Sequence, residues 1–389
     1  MTDFAHKFYA ERLREARIAA GLSMSTLATK ADLSPQTVSA YENGTRKPTA
    51  EALFALAAAL KITISYFKRD RPLSIESHNT VFFRSAASAH TRRNHDMRKQ
   101  HANWAFEISE WFGQYVELPQ YDAPEMSSVE LSTSENGELF YSEEALDEAA
   151  TKVRRAWGMG DGPISDMVRL LESKGIRVVR QRSGSQRFDA FSRIVRGQPM
   201  IFLSSDKGSG PRSRFDAAHE LGHIILHGHV AQEALNSTSQ RARIESEANY
   251  FAGSFLLPET TFAQELHGVT LNSFLSMKHR WKVSAQALIR RSYNIGAITD
   301  ETFHRLCVQV SARGMRVKEP YDDQIAPEQP QLLHKAWVLL VENNVTHRSA
   351  IVENLALPAE FISDVVGIGI SEFGSAVIAN NILSLKARD

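Results

Sequence analysis

The sequence predicts a mainly α protein with a small antiparallel sheet, an α+β chain with a five-helix N-terminal bundle, a central domain and a helical C-terminal region. Three observations carry this. Apolar residues recur at helical spacing through most of the chain, often with Ser or Thr just before a segment and Gly or Asn just after it. Short apolar runs between residues 176 and 203 have strand character. Between Phe215 and Pro258, a long apolar helical pattern carries His219-Glu220-Leu221-Gly222-His223.

The totals narrow the class. A chain of 389 residues can bury two or three cores. Lys+Arg and Asp+Glu are both 45, so no global field attracts nucleic acid and any basic surface is local. The one cysteine, Cys307, excludes an internal disulfide framework and suits a reducing cytoplasm. No apolar run has signal-peptide or membrane-spanning length, so a cytoplasmic protein with no membrane partner is expected.

In chain order, Phe8, Leu13, Ala16 and Arg17 open an amphipathic helix that stops at Gly21. Ser23 caps Met24–Ala31, Ser34-Pro35 starts a third helix through Glu42, and Thr49 caps Ala50–Leu60. A short helix follows around Ser65–Lys68. After a polar linker and Val81–Ser85 comes a basic run, Arg92, Arg93, Arg98 and Lys99, which is either a solvated face or a DNA-backbone contact. Trp104, Phe106, Ile108, Trp111, Phe112 and Tyr115 then make an aromatic helix suited to docking on another helix or a second subunit. Helices are expected at 142–157 and 164–174, and strands at 176–179, 188–195 and 200–203, the last two joined by a turn at 196–199. The exposed edge of such a sheet could accept an extended peptide. Segments 270–278 and 284–293, around Trp281-Lys282-Val283, form a pair that is either a packing element or a second DNA reader. A proline-containing linker at 319–331 leads to helices at 332–341 and 350–366. The expected domains are 1–70, a linker and connector at 71–136, 137–318, and 319–389.

Two imidazoles four residues apart return to one helix face and can share a zinc, with the glutamate between them in reach of a water as general base. That makes His219 and His223 candidate ligands and Glu220 a candidate base, the alternative being a core helix with satisfied histidines. A catalytic zinc takes a third protein ligand. On the next helix, Glu245 and Asn249 share a face, so Glu245 can bind the ion while Asn249 hydrogen-bonds a ligating imidazole. Glu247 lies about 200° round from Glu245, so only one of the two can face the metal. Glu245 is the choice and Glu247 the reserve. His227, His229 and Tyr250 stand outside the ligand set, as supports, solvent-facing groups or donors to a transition-state oxyanion.

Residues 163–260 resemble the ImmA/IrrE family of metallopeptidases, whose HExxH is followed by E-x-x-A-N-x-F-A and a leucine-rich stop at proline. Here the second motif stands as Glu245-Ser246-Glu247-Ala248-Asn249-Tyr250-Phe251-Ala252 through Leu256-Leu257-Pro258. The resemblance implies a gluzincin-like site with Zn2+ as cofactor, His219, His223 and Glu245 as its ligands and Glu220 as base. The stretch from Gly21-Leu22-Ser23 to Arg46-Lys47-Pro48 resembles the XRE/Cro helix-turn-helix family. That resemblance implies a core of Leu27, Ala28, Val38 and Leu53 and a double-stranded DNA operator as partner. Gln36, Thr37 and Ser39 would face base edges, and Asn43, Thr45, Arg46 and Lys47 would hold phosphates. Met24 departs from the family pattern, which usually has a phosphate-clamping Gln there. A homodimer is expected, because this kind of module reads a two-fold operator with two copies.

Two functions of different classes fit these motifs. One is a DNA-binding regulator whose zinc endopeptidase cleaves a protein substrate (a repressor, a partner or its own chain) in stress, phage or mobile-element control. The other is a regulator whose metal domain is a non-proteolytic sensor or scaffold, with a toxin–antitoxin or prophage module as a further setting. Glu220 separates them, since only the first needs a base.

Overall fold

The computed structural model describes residues 7–69, 81–82, 89–134, 138–182, 190–206, 208–228 and 237–374. They form two compact units, one of residues 7–69, 89–118 and 331–374, the other of residues 81–82 and the described part of 119–330.

The first unit begins with α1 (Ala10–Ala19), α2 (Met24–Lys30), α3 (Pro35–Glu42) and α4 (Ala50–Leu60), closed by a 3-10 turn at Ile64–Lys68. The side chains of Ser23, Ser34 and Thr49 accept hydrogen bonds from the backbone N–H of Thr26, Thr37 and Ala52, satisfying donors that a helix start leaves free. Leu13, Leu27, Val38 and Leu56, one from each helix, are fully buried. The guanidinium of Arg17 donates to both carboxylate oxygens of Glu42, at 2.6 and 2.8 Å, and ties α1 to α3. The basic run and the aromatic segment belong to one continuous helix, α5 (Ala89–Gly113). Arg98 on it is buried, whereas Arg93 is exposed.

The second unit carries β1 (Val81–Phe82), a ribbon of β2 (Ser132–Thr133) and β3 (Leu139–Phe140), then α6 (Glu143–Ala156), α7 (Met167–Ser173), β4 (Arg177–Gln181), β5 (Ala190–Val195) and β6 (Gln198–Ser204). It continues with α8 (Gly210–His227), α9 (Thr238–Leu256), α10 (Glu259–Gln264), α11 (Leu271–Trp281), α12 (Ala285–Asn294) and α13 (Asp300–Ala312). Helix α7 starts later than the pattern predicts, because Asp166 provides its cap.

The main sheet has the order β1-β5-β6-β4. It is mixed, where the sequence predicts an antiparallel one, since β4 pairs in parallel with β6. The reason is topological. β5 and β6 form a hairpin and β4 adds on the far side of β6, so the reversal between β4 and β5 leaves β4 and β6 running the same way. Arg196 and Gly197 both have positive φ, 51° and 81°, the two-residue turn whose twist suits a hairpin. Phe191 and Phe202, paired in register, stack at 4.5 Å.

Helix α8 lies between the sheet and α9, and α9 packs in turn on α6. Ala217, Ala218, Leu221, Ala248, Phe251, Ala252 and Phe255 fill these contacts and are buried. Helices α11 and α12 pack on each other and on α13. The buried ammonium of Lys278 donates to Glu319, Asp322 and the Pro320 carbonyl, each at 2.8 Å. Glu319 also accepts from the N–H groups of Ala285 and Gln286 at the start of α12. A helix start occupied by a buried carboxylate is not free to meet a phosphate, which favours the packing role for this pair.

The chain returns to the first unit with α14 (Leu332–Glu342), α15 (Ala350–Leu355) and α16 (Ala359–Val366). Pro358 splits the helix expected over 350–366, because proline disfavours helical backbone in the residue before it. All three helices pack on α5. Phe361 meets His101 and Trp104 at ring distances of 5.0 and 5.4 Å. Among the described residues, no helix is long and apolar enough to cross a membrane.

Candidate metal centre

Two helices must come close for three side chains to meet. Gly222 allows it. A Cβ at that position would stand 3.0 Å from the Phe251 ring and 3.3 Å from the Ala248 backbone, so a bare glycine lets α8 lie against α9. One turn of α8 then points His219 and His223 across at the first half of α9. Their Nε2 atoms are 3.0 Å apart. The Glu245 carboxylate reaches both, Oε2 at 3.5 Å from His219 Nε2 and Oε1 at 3.5 Å from His223 Nε2. The three ligand atoms lie within 4.8 Å of one another. Donors ~2.0–2.1 Å from a tetrahedral ion stand roughly 3.3 Å apart, and these separations bracket that spacing. Two imidazole nitrogens and one carboxylate also match the donor types a catalytic zinc takes, so the residues present fit the ion.

The electrostatics suit cation binding. Burial pushes the His223 imidazole down to about 3, and its histidine neighbours lower it further against the opposing pull of Glu245, so the ring is neutral and carries a lone pair. Burial alone would raise Glu245, but the two imidazoles beside it outweigh that and hold the carboxylate well below its usual range. Glu220, next to His219 in sequence, is pushed up to about 7, first by burial and then by Glu245 and Asp216, with His219 and Ser192 opposing. Its Oε2 is buried without a hydrogen-bond partner. A carboxyl group near neutrality can both take and give a proton. Access is from the Glu245 side, whose side chain is 19% exposed against 7% and 1% for the two imidazoles.

Around these residues lies a ring of hydrogen bonds. Asn249 Oδ1 is 3.1 Å from His219 Nδ1, and Asn249 Nδ2 donates to the Glu245 carbonyl at 2.8 Å. His227 Nδ1 is 3.1 Å from His223 Nδ1, and His227 Nε2 is 2.8 Å from Glu247 Oε2. Glu247 therefore faces His227 and not the ligand cluster, and its Oε1 accepts from the Tyr141 N–H at 3.0 Å. The sequence pattern offered His227 as a support without naming what it supports, and Glu247 only as a substitute ligand. The signal was in the spacing, for His227 continues the four-residue step of His219 and His223 along α8. Tyr250, an oxyanion candidate, donates instead to Asp147 at 3.0 Å. His229 lies outside the described residues. The sheet edge on the β5 side is not bare, since Val81 and Phe82 pair with Arg193 and Ser192.

In the first unit, Gln36 is exposed on α3, with Thr37 and Ser39 partly exposed on the same helix. Thr37 bonds the capping Ser34 hydroxyl at 2.9 Å, and Ser39 takes a bond from Asn43 Nδ2 at 3.3 Å, so both hydroxyls are engaged locally. Thr45 donates to the Ala40 carbonyl, and Asn43, Thr45, Arg46 and Lys47 form an exposed run just past the end of α3.

Fold and site define a class: a DNA-binding helix-turn-helix domain joined in one chain to a metallopeptidase-like domain. Residues 13–67 match the helix-turn-helix family, and residues 171–293 match the IrrE N-terminal-like domain, a peptidase family. The second match spans α8 and α9 with the whole ligand cluster. A comparison with curated proteins gives no match.

Proposed function

We propose that this chain is a DNA-binding transcriptional regulator carrying a zinc-dependent endopeptidase, which cleaves a repressor or another partner protein in stress, phage or mobile-element control. One observation carries the reading: His219, His223 and Glu245 bring three ligand atoms within 4.8 Å beside a buried Glu220, in a chain that also holds a helix-turn-helix domain. His219 and His223 would hold the ion by Nε2 and Glu245 by its carboxylate. When bound, zinc supplies a Lewis acid that polarises a carbonyl and makes water more acidic. Glu220 takes a proton from the attacking water at its carboxylate and passes it to the departing amine. Gln36, Thr37 and Ser39 would read base edges, with Asn43, Thr45, Arg46 and Lys47 on phosphates, and the working form would be a cytoplasmic homodimer on a two-fold operator.

The test is to compare cells making the wild-type chain, Glu220→Gln or His223→Ala, mapping newly formed protein N-termini alongside transcript levels. Glu220→Gln keeps every ligand, so it should bind zinc while new termini and the regulatory response both disappear. If the response persists in Glu220→Gln but is lost in His223→Ala, the metal domain acts as a non-proteolytic sensor and the endopeptidase reading fails.

A further inference from the structure

We infer that His227 and Glu247 are positioning residues that fix the ring tautomer and orientation of His223, an inference that rests on the metal-centre reading above. Glu247 is a carboxylate with two donors on it, the Tyr141 N–H at Oε1 and His227 Nε2 at Oε2. A carboxylate only accepts, so the proton in the 2.8 Å contact sits on His227 Nε2. Taken as the neutral ring, with its proton on Nε2, His227 presents a lone pair at Nδ1. The 3.1 Å contact between His227 Nδ1 and His223 Nδ1 can hold only one proton, and His227 has none to give there, so His223 Nδ1 is the donor. His223 Nε2 is then left with a lone pair, and that atom faces His219 Nε2 and Glu245. The chain Glu247, His227, His223 thus hands the metal-facing nitrogen to the ion in its ligating form.

His219 is fixed by a different device. Asn249 Nδ2 donates to the Glu245 carbonyl, which turns Oδ1 towards His219 Nδ1 and makes that nitrogen the donor. One imidazole is oriented by an amide and the other by a histidine and a carboxylate. Both partners are buried, His227 at 2% and Glu247 at 6% exposure, and a buried charged carboxylate is kept only where its acceptors are used. The backbone of the β3–α6 connection enters the line through Tyr141, whose hydroxyl also donates to the Leu226 carbonyl at 3.3 Å and braces the end of α8.

The experiment uses the full-length chain. Zinc affinity is measured by competition with a chromophoric chelator for wild type, His227→Ala, Glu247→Ala and the double variant, and ring-nitrogen NMR of zinc-loaded wild type reports the His223 tautomer. The spectrum should show a protonated Nδ1 and a zinc-shifted Nε2 on His223. Each single variant should weaken zinc binding about 10–100-fold. The double variant should be no weaker than the worse single one, as expected for residues acting in series. A His223 ring bound through Nδ1, or without a proton on it, overturns the inference even if a variant fails to fold. So do single variants that bind zinc as tightly as wild type, and that result leaves the metal centre standing. Wild-type protein that takes up no zinc removes the metal centre and this inference with it.

Discussion

At the scale of single residues, the centre depends on groups whose replacement leaves the backbone alone. Asn249→Ala deletes the acceptor of His219 Nδ1 without creating a clash, since Asn249 sits half-buried at the α8–α9 boundary. Zinc affinity should fall about 10–100-fold in a competition titration, with the apo protein unfolding at an unchanged denaturant midpoint. In the DNA head the corresponding residue is Arg46, exposed beyond the end of α3 and close to the Tyr41 ring. With no net charge on the chain, phosphate binding must come from such local cations. Arg46→Ala should therefore weaken binding to all DNA sequences alike and lower the slope of log affinity against log salt by about 1. An unchanged slope would take Arg46 off the backbone. The same scale shows what the sequence could not supply. His219, Glu220 and His223 are legible because their chemistry follows from a four-residue step in one helix. The partnership of His227 with Glu247 joins residues 20 apart, and only the packing of α9 on α8 makes it visible.

Elements behave in the same way. The starts of α2, α3 and α4 were predictable because a cap is decided within four residues, and Ser23, Ser34 and Thr49 make the bonds their positions promise. Strand direction is a different kind of property. Parallel pairing of β4 with β6 depends on which side of a hairpin the third strand joins, and the apolar runs say nothing of that. The single helix α5 was divided in the sequence pattern because its first half is basic and its second aromatic, although no residue in it breaks a helix. Close packing of α8 on α9 is the element-level condition for the metal centre, and Gly222 tests it. A valine there would push its branched side chain into Phe251 and the Ala248 backbone. Forcing the helices apart should cost about 1–3 kcal/mol in chemical denaturation. It should also abolish stoichiometric zinc binding, because Glu245 rides on the displaced helix while both imidazoles stay behind. A variant that is destabilised yet binds zinc normally would show that the ligands do not need this approach.

For the molecule as a whole, the order of the chain and its division in space differ. The unit that holds the helix-turn-helix also contains residues 331–374, so segments far apart in the sequence complete one unit. The contacts involved are apolar and specific: Phe361 against His101 and Trp104, with the Arg69 guanidinium donating to the Leu355 carbonyl at 2.7 Å. Tyr66, fully buried, receives a bond from the Trp104 indole at 3.0 Å, so α5 connects the C-terminal helices to the closing turn of the five-helix bundle. No chemistry is legible in the residues of those helices, and none is needed for a scaffold. Ending the chain at Pro330 removes α14, α15 and α16 and uncovers the face of α5 that holds Trp104. Burying a large aromatic side chain is worth about 1.5–3 kcal/mol, and several are lost together, so the first unit should be severely destabilised. The second unit keeps all its described contacts at the ligand cluster. The truncated protein should therefore bind zinc with wild-type stoichiometry while losing operator binding. Full retention of DNA affinity would mean that the five-helix bundle stands without its C-terminal support.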